Sequence, residues 1–299
     1  MNGPWDVHSD CTPGCAAHAL PRVPAARIAR RGAAFARTVR RALTDGARMA
    51  EPGRLRTHAR ALLDALDITV DGAGPLTAGD GPGTLVVANH VSWLDVLALL
   101  AVEPVTLLAK REVGGWPVVG GLARRAGTHF IDRTHPRRLP HTVREVSELL
   151  AAGRSVAVFP QATTWCTARA GTFRRATFQS AIDAGAPVRP VTLDFRQQGR
   201  PSTVAAFCGE DTFAGSLRRV LAARDLTVRV TAHPVLWPLD GGLDRRELAA
   251  LAERAALAER AAPGGRPAPV TGGAVRPAAG LPPAAPVPHA PPRDAPAHV

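Results

Sequence analysis

His90 and Asp95 stand five residues apart in the stretch Val86–Asp95, VVANHVSWLD, directly after a run of strand-forming residues. An imidazole and a carboxylate can build a general base. The carboxylate holds one ring nitrogen protonated and stabilises the imidazolium, leaving the other nitrogen to accept a proton. On one continuous helix, residues five apart lie about 140° from each other, so the two side chains would diverge. They converge if His90 ends a strand and Asp95 falls in the first turn of the next helix. The sequence supports that arrangement: TLVVAN reads as a strand, and Ser92, three residues before Asp95, is a capping-box pattern opening WLDVLALLAV. A core strand followed by a capped helix would show the same residues, so from this segment alone both readings stand. The chain has no G-x-S-x-G elbow, and neither Cys166 nor Cys208 lies in a recognisable nucleophile motif. A base without a protein nucleophile implies that the substrate supplies the proton and then attacks an activated acyl group directly.

Such a pair needs a sheet whose strand ends meet helix starts. The candidate strands are ITVDG near residue 68, then 83–90, 104–110, 127–132, 154–160, 187–193 and 226–235, most of them rich in valine and bounded by glycine or proline. Helical patterns separate several of them, among them LPHTVREVSELLAAG, which ends on glycine. Apolar strands alternating with helices predict an α/β fold, a mostly parallel sheet flanked by helices. Residues 67–262 form this domain, preceded by a flexible N-terminus at 1–23 and a helical element at 24–66. Within 24–50, Ile28, Phe35, Val39, Ala42 and Leu43 share one stripe while Arg30, Arg37, Arg41 and Arg48 collect opposite it, a basic amphipathic helix expected to lie in a membrane interface. The tail at 263–299 is mostly proline, alanine and glycine and is expected to be disordered.

The chain of 299 residues carries a net charge of +12, which implies an anionic partner. Nucleic acid is a poor fit: aromatic residues are only 4% with no tyrosine, and the arginines gather near the N-terminus instead of lining a sheet. An anionic membrane surface fits better. No apolar run reaches the roughly 18 residues of a membrane span, because Asp95 and Glu103 interrupt the most hydrophobic region. The expected place is therefore peripheral, on the cytoplasmic face of the cell membrane. Four cysteines, Cys11, Cys15, Cys166 and Cys208, are too few and scattered for a disulfide framework. His8, Cys11, Cys15 and His18 loosely imitate a zinc site, but structural zinc takes ligands from separate elements and these four share one short loop, so no metal is expected.

NHVSWLD resembles the N-H-x₄-D motif of the PlsC-type glycerolipid acyltransferases, the family that includes 1-acylglycerol-3-phosphate acyltransferase. Three further stretches follow in the family's order between about 85 and 195. AKREVGGWPVVGGLARRAGTHFIDR is similar to its second block, VAVFPQATTW to its third and APVRPVTL to its fourth.

The resemblance implies transfer of a fatty acyl group from an acyl thioester, acyl-CoA or acyl carrier protein, to a lysolipid hydroxyl, with 1-acylglycerol-3-phosphate as acceptor and phosphatidic acid as product. His90 would deprotonate the hydroxyl and Asp95 would orient the ring. Arg133 would contact the acceptor phosphate, a role that suits a bidentate cation. Gln161, Ala162 and Thr163 would line the acceptor site, and Pro190 would shape the acyl groove. No metal or organic cofactor is implied. The third block departs from the usual Phe-Pro-Glu-Gly-Thr at two positions. Gln161 lacks the glutamate's charge, and Ala162 adds a Cβ where glycine permits positive φ. Those changes leave two alternatives beside lysophosphatidate: a lysolipid without a phosphate, such as lyso-ornithine lipid, or a non-catalytic lipid-binding paralogue.

Overall fold

The computed structural model describes residues 7, 9–16, 21–72, 74–132, 136–166, 171–238 and 242–258. Two helices come first, α1 at Ala25–Thr44 and α2 at Pro52–Ala65, followed by β1 at Ile68–Asp71. The central units are β2 at Leu85–Ala88, α3 at Leu94–Val102, β3 at Thr106–Lys110, the short α4 at Arg111–Gly114 and α5 at Val119–Arg125, and β4 at His129–Ile131. Then come α6 at Leu139–Ala151, β5 at Val156–Val158, α7 at Ala176–Asp183, β6 at Val188–Gln197 and β7 at Arg200–Pro201. The described residues close with α8 at Phe213–Ala222, β8 at Leu226–Ala232 and α9 at Arg245–Ala258.

The strands form one sheet in the order β1-β8-β6-β2-β5-β3-β4, with β7 pairing β6 off this path. From β6 to β4 every neighbour runs parallel, whereas β7 and β8 both run antiparallel to β6, and β8 then pairs in parallel with β1. The pleat sorts side chains onto two cores. Val86 and Ala88 of β2, Ala157 of β5 and Val191 and Leu193 of β6 face one layer with α2 and α3. Leu85, Val87, Val156, Val158 and Val188 face the other, under α6, α7 and α9. Burial on both faces is why these strands read as continuous apolar runs. The expected mostly parallel sheet flanked by helices is what the chain forms.

Both N-terminal segments singled out by the sequence pack against the rest of the chain. The apolar stripe of α1 is taken up by the protein itself. Ala42 is buried, Phe35 meets Trp93 edge-on at 6.3 Å, and Ile28, Val39 and Leu43 are partly covered, while Arg27, Arg30, Arg37, Arg40 and Arg41 point outward. The helix ends at Thr44, and a 3₁₀ turn at Gly46–Ala50 follows. The stretch 9–16 is docked, with Cys11 and Ala16 buried and Thr203 Oγ1 donating to the Cys15 carbonyl at 2.7 Å. His8, His18 and the tail at 263–299 lie outside the described residues.

One arginine of α1 faces inward. Arg31 is 3% exposed and donates to the carbonyls of Leu221 and Ala223 at 2.9 and 2.7 Å and to Asp67 Oδ2 at 2.6 Å. The hydrogen bond from Arg31 holds the Asp67 carboxyl below its ordinary value against the opposing effect of burial. Arg31→Met leaves two carbonyls without their donor and is expected to cost about 1–3 kcal/mol in denaturant unfolding near neutral pH. The Asp67 share is present above its unfolded pKa of about 4 and is lost as pH falls through the lowered folded value. The gap between variant and wild type should therefore narrow in acid; a gap that widens there would contradict the assignment.

Candidate active site

His90 and Asp95 meet because the chain changes from strand to helix between them. β2 ends at Ala88 and α3 begins at Leu94, so the intervening residues form a turn at the carboxyl edge of the sheet. Asn89 locks the strand end in place: its Nδ2 donates to the Leu193 carbonyl at 3.0 Å, and its Oδ1 accepts the Leu193 N–H at 2.7 Å. Asp95 then sits in the first turn of α3, fully buried. Its Oδ2 accepts from His90 Nδ1 at 2.8 Å, from the Val91 N–H at 2.6 Å and from the Ser92 N–H at 2.9 Å. The capping and the orienting readings of this segment are thus both realised, by one oxygen atom. The back-bond from Asp95 to Ser92 is half of the expected capping box, and Ser92 Oγ takes the Leu94 N–H at 3.3 Å.

The ring is held on a second side. His90 stacks on Phe159 with centroids 4.0 Å apart and planes 15° from parallel. Its backbone is tied to the loop after β5, where His90 N–H donates to Gln161 Oε1 at 2.7 Å and the His90 carbonyl accepts from Trp165 N–H at 2.8 Å. With Nδ1 engaged by Asp95 and the His90 side chain 22% exposed, Nε2 is the nitrogen left to exchange a proton with a ligand. Asn89 and Phe159 were assigned no part by sequence reasoning. Asn89 opens the motif, but nothing in a linear pattern shows that its amide spans to β6.

The third-block residues are largely engaged within the protein. Gln161 is 1% exposed, and its amide is used inside the protein, with Nε2 donating to the Gly171 carbonyl at 3.2 Å. It ties the His90 backbone to the loop after β5. A glutamine suits this place because one end must accept and the other donate. Ala162 is buried with φ of 64°, so it keeps the left-handed conformation that glycine adopts without strain. Thr163 is partly exposed, and Thr164 Oγ1 donates to the Phe207 carbonyl. Pro190 is buried in β6, in register with Val87 of β2. Arg133 lies outside the described residues. Its neighbour Asp132 pairs with Arg111 at 3.1 Å, which joins the ends of β4 and β3. The ends of β2, β3, β4 and β5 therefore share one edge, the position where open parallel sheets bind ligands. Among the described residues, the side chains close enough to hold a metal are Cys11, Cys15 and Cys166, and none of the site's own residues belongs to that group.

Comparison with known proteins agrees with this geometry. A family profile described as Acyltransferase matches residues 67–194. A 1-acyl-sn-glycerol-3-phosphate acyltransferase of Neisseria meningitidis serogroup B is 40% identical over 172 residues, 57% of this chain and 67% of that protein. A lyso-ornithine lipid O-acyltransferase of Pseudomonas aeruginosa is also 40% identical over 172 residues, 57% of this chain and 65% of that protein. The matched stretch thus spans about two thirds of these relatives. The crystal structure of the 1-acyl-sn-glycerophosphate acyltransferase PlsC from Thermotoga maritima superposes with a TM-score of 0.54 at 21% identity, covering 70% of this chain and 77% of that one, a likeness of fold.

Two substitutions test the loop. Gln161→Glu sets a carboxylate oxygen against the Gly171 carbonyl in a buried place and is expected to cost about 1–3 kcal/mol. Ala162→Gly removes left-handed strain of about 1–2 kcal/mol and returns about 0.4–1 kcal/mol as unfolded-chain entropy, so stability should hold or rise. Thermal unfolding of both variants reads the result. A stabilised Gln161→Glu or a clearly weakened Ala162→Gly would contradict the local account.

Proposed function

From the chain's membership of the PlsC-type acyltransferase family, to which the 1-acyl-sn-glycerol-3-phosphate acyltransferases belong, we propose that it moves a fatty acyl group from a thioester to a lysolipid hydroxyl, with His90 as general base. The observation that carries this reading is the 2.8 Å bond from His90 Nδ1 to Asp95 Oδ2. It leaves Nε2 to take the acceptor's hydroxyl proton as the oxygen attacks the thioester carbonyl. The carbon–sulfur bond then breaks, the proton passes from Nε2 to the departing thiolate, and an ester and a free thiol result. Acyl-CoA and acyl carrier protein both fit as donors, and the step draws on no metal or organic cofactor.

The acceptor is 1-acylglycerol-3-phosphate, by the reading that gives the exposed cations at the strand ends a use. Lys110 ends β3, Arg111 follows it, and Arg133 follows β4 in sequence, so a phosphate bound at this edge would find ammonium and guanidinium donors. A second acceptor, lyso-ornithine lipid, is favoured by the Pseudomonas relative, whose identity equals that of the Neisseria relative over a match of the same length. Product analysis separates the two.

The protein reaches its acceptor by lying on the cytoplasmic face of an anionic membrane. No described helix is long and apolar enough to cross a bilayer. The outward arginines of α1 supply attraction of about 1 kcal/mol for each residue near such a surface. Trp116 and Val118, 36% and 52% exposed, are apolar groups suited to insert beside them, and Trp116 packs edge-on against Phe207 near the site. Binding to vesicles should rise with anionic lipid content and fall with salt. Binding that is indifferent to both would contradict this mode.

The function is tested by mass-spectrometric product analysis with acyl-CoA and acyl carrier protein thioesters against lysophosphatidate and lyso-ornithine lipid. Wild type should yield one acylated product. His90→Ala should abolish it, and Asp95→Asn should lower its rate by about 10²–10⁴. Undiminished product from His90→Ala would overturn the base, and no product with any pair would overturn the transfer.

A further inference from the structure

All four cysteines of the chain, separated by up to nearly 200 residues, come together at one place behind the active-site loop. Cys11 and Cys15 lie on the docked N-terminal stretch, whose 3₁₀ turn spans Pro13–Ala16. Cys166 follows the third block, and Cys208 sits in the segment between β7 and α8. Cys11, Cys166 and Cys208 are buried and Cys15 is partly so. The Cys11 and Cys166 sulfurs are 3.2 Å apart, and those of Cys11, Cys15 and Cys166 all lie within 4.8 Å of one another. Cys208 stands next to this trio, hydrogen-bonded to Cys11.

We propose that these four cysteines form a structural zinc site. Tetrahedral zinc with bonds of about 2.3 Å to sulfur sets neighbouring thiolates about 3.8 Å apart, inside the range seen among Cys11, Cys15 and Cys166, and Cys208 beside Cys11 would supply the fourth corner. The donor set is all sulfur, which selects a soft or borderline ion over magnesium or calcium. A short-spaced pair, C-x₃-C, joined by one ligand from each of two other segments, is the layout of closed structural sites. This layout answers the objection raised by the sequence. The N-terminal stretch supplies only two ligands, and the others arrive from residues 166 and 208.

The backbone geometry fits. The Cys166 N–H points at Cys11 Sγ at 3.4 Å, an amide-to-sulfur bond of the kind that steadies a metal-bound thiolate. Filling the site would displace the thiol protons of its ligands to solvent. Gly209, with φ of 59°, brings its backbone so close to the Cys11 carbonyl that a Cβ would approach it to 2.9 Å, which lets the two segments meet.

The site's place in the structure assigns it a purpose. Trp165 N–H donates to the His90 carbonyl, and Phe207 N–H donates to the Val91 carbonyl at 2.9 Å. Each tether is the residue immediately before a cysteine of the cluster. Zinc at this point fastens both peptides that hold the backbone of the His90 turn and takes no part in acyl transfer.

The test is metal analysis of the full chain, purified under reducing conditions and desalted, by inductively coupled plasma mass spectrometry. Wild type and His90→Ala should each carry about one zinc per chain, the stoichiometry of a four-thiolate site. Cys11→Ser and Cys208→Ser should carry none, and Cys15→Ser, altered at the least buried ligand, should stay folded by circular dichroism while binding zinc more weakly. Cobalt-exchanged wild type should show thiolate-to-metal charge-transfer absorption with tetrahedral d–d bands, a readout that needs no variant to fold. Folded wild type without metal, whose cysteines are all alkylated as thiols or are paired as disulfides by intact mass, would overturn the proposal.

Discussion

The structure turns on one oxygen atom. Oδ2 of Asp95 accepts the N–H groups of Val91 and Ser92 and the Nδ1 hydrogen of His90 in a place with no access to solvent. Without that oxygen, the two buried amides at the entrance to α3 would have to find other acceptors, and unsatisfied donors of this kind are costly. The carboxylate is therefore required by the fold before any chemistry is considered. The imidazole uses an acceptor that the turn already needs. Structural and functional roles coincide at this atom, which is why five residues of sequence suffice to place both groups.

Around that turn the protein stacks constraints at the level of backbone. Asn89 fixes the end of β2 to β6, Gln161 and Trp165 fix the His90 peptide to the loop after β5, and Phe207 fixes Val91. Phe159 then limits the ring from its face. The base is oriented by four separate segments, so its geometry does not depend on any one loop being stiff. The left-handed Ala162 is the cost of one such segment, a strained residue retained where the chain must turn back after Gln161.

Much of this was legible in the sequence, for physical reasons that also explain the gaps. β2 and β5 are covered on both faces, so valine-rich runs identified them. Ser92 and Asp95 marked the helix start because capping is a local interaction. The direction of β8 was not legible, since an apolar strand pattern carries no information about which way its partner runs. The stripe of α1 was visible, but periodicity shows that a face must be covered and not by what, and here the cover is Trp93 and the neighbouring helices. Gln161 read as a lost charge; only the structure shows an amide accepting from His90 and donating to Gly171. The convergence of the cysteines was equally hidden, because contacts across more than 150 residues leave no spacing to read.

The most direct measurement of the central claim is the tautomer of His90, read by nitrogen-15 NMR of the labelled imidazole at a pH where the ring is neutral. The account predicts hydrogen on Nδ1 and a bare Nε2 in wild type, with that preference weakened in Asp95→Asn. Hydrogen on Nε2 in the wild-type protein would contradict it, because the nitrogen meant to accept the substrate's proton would already be occupied.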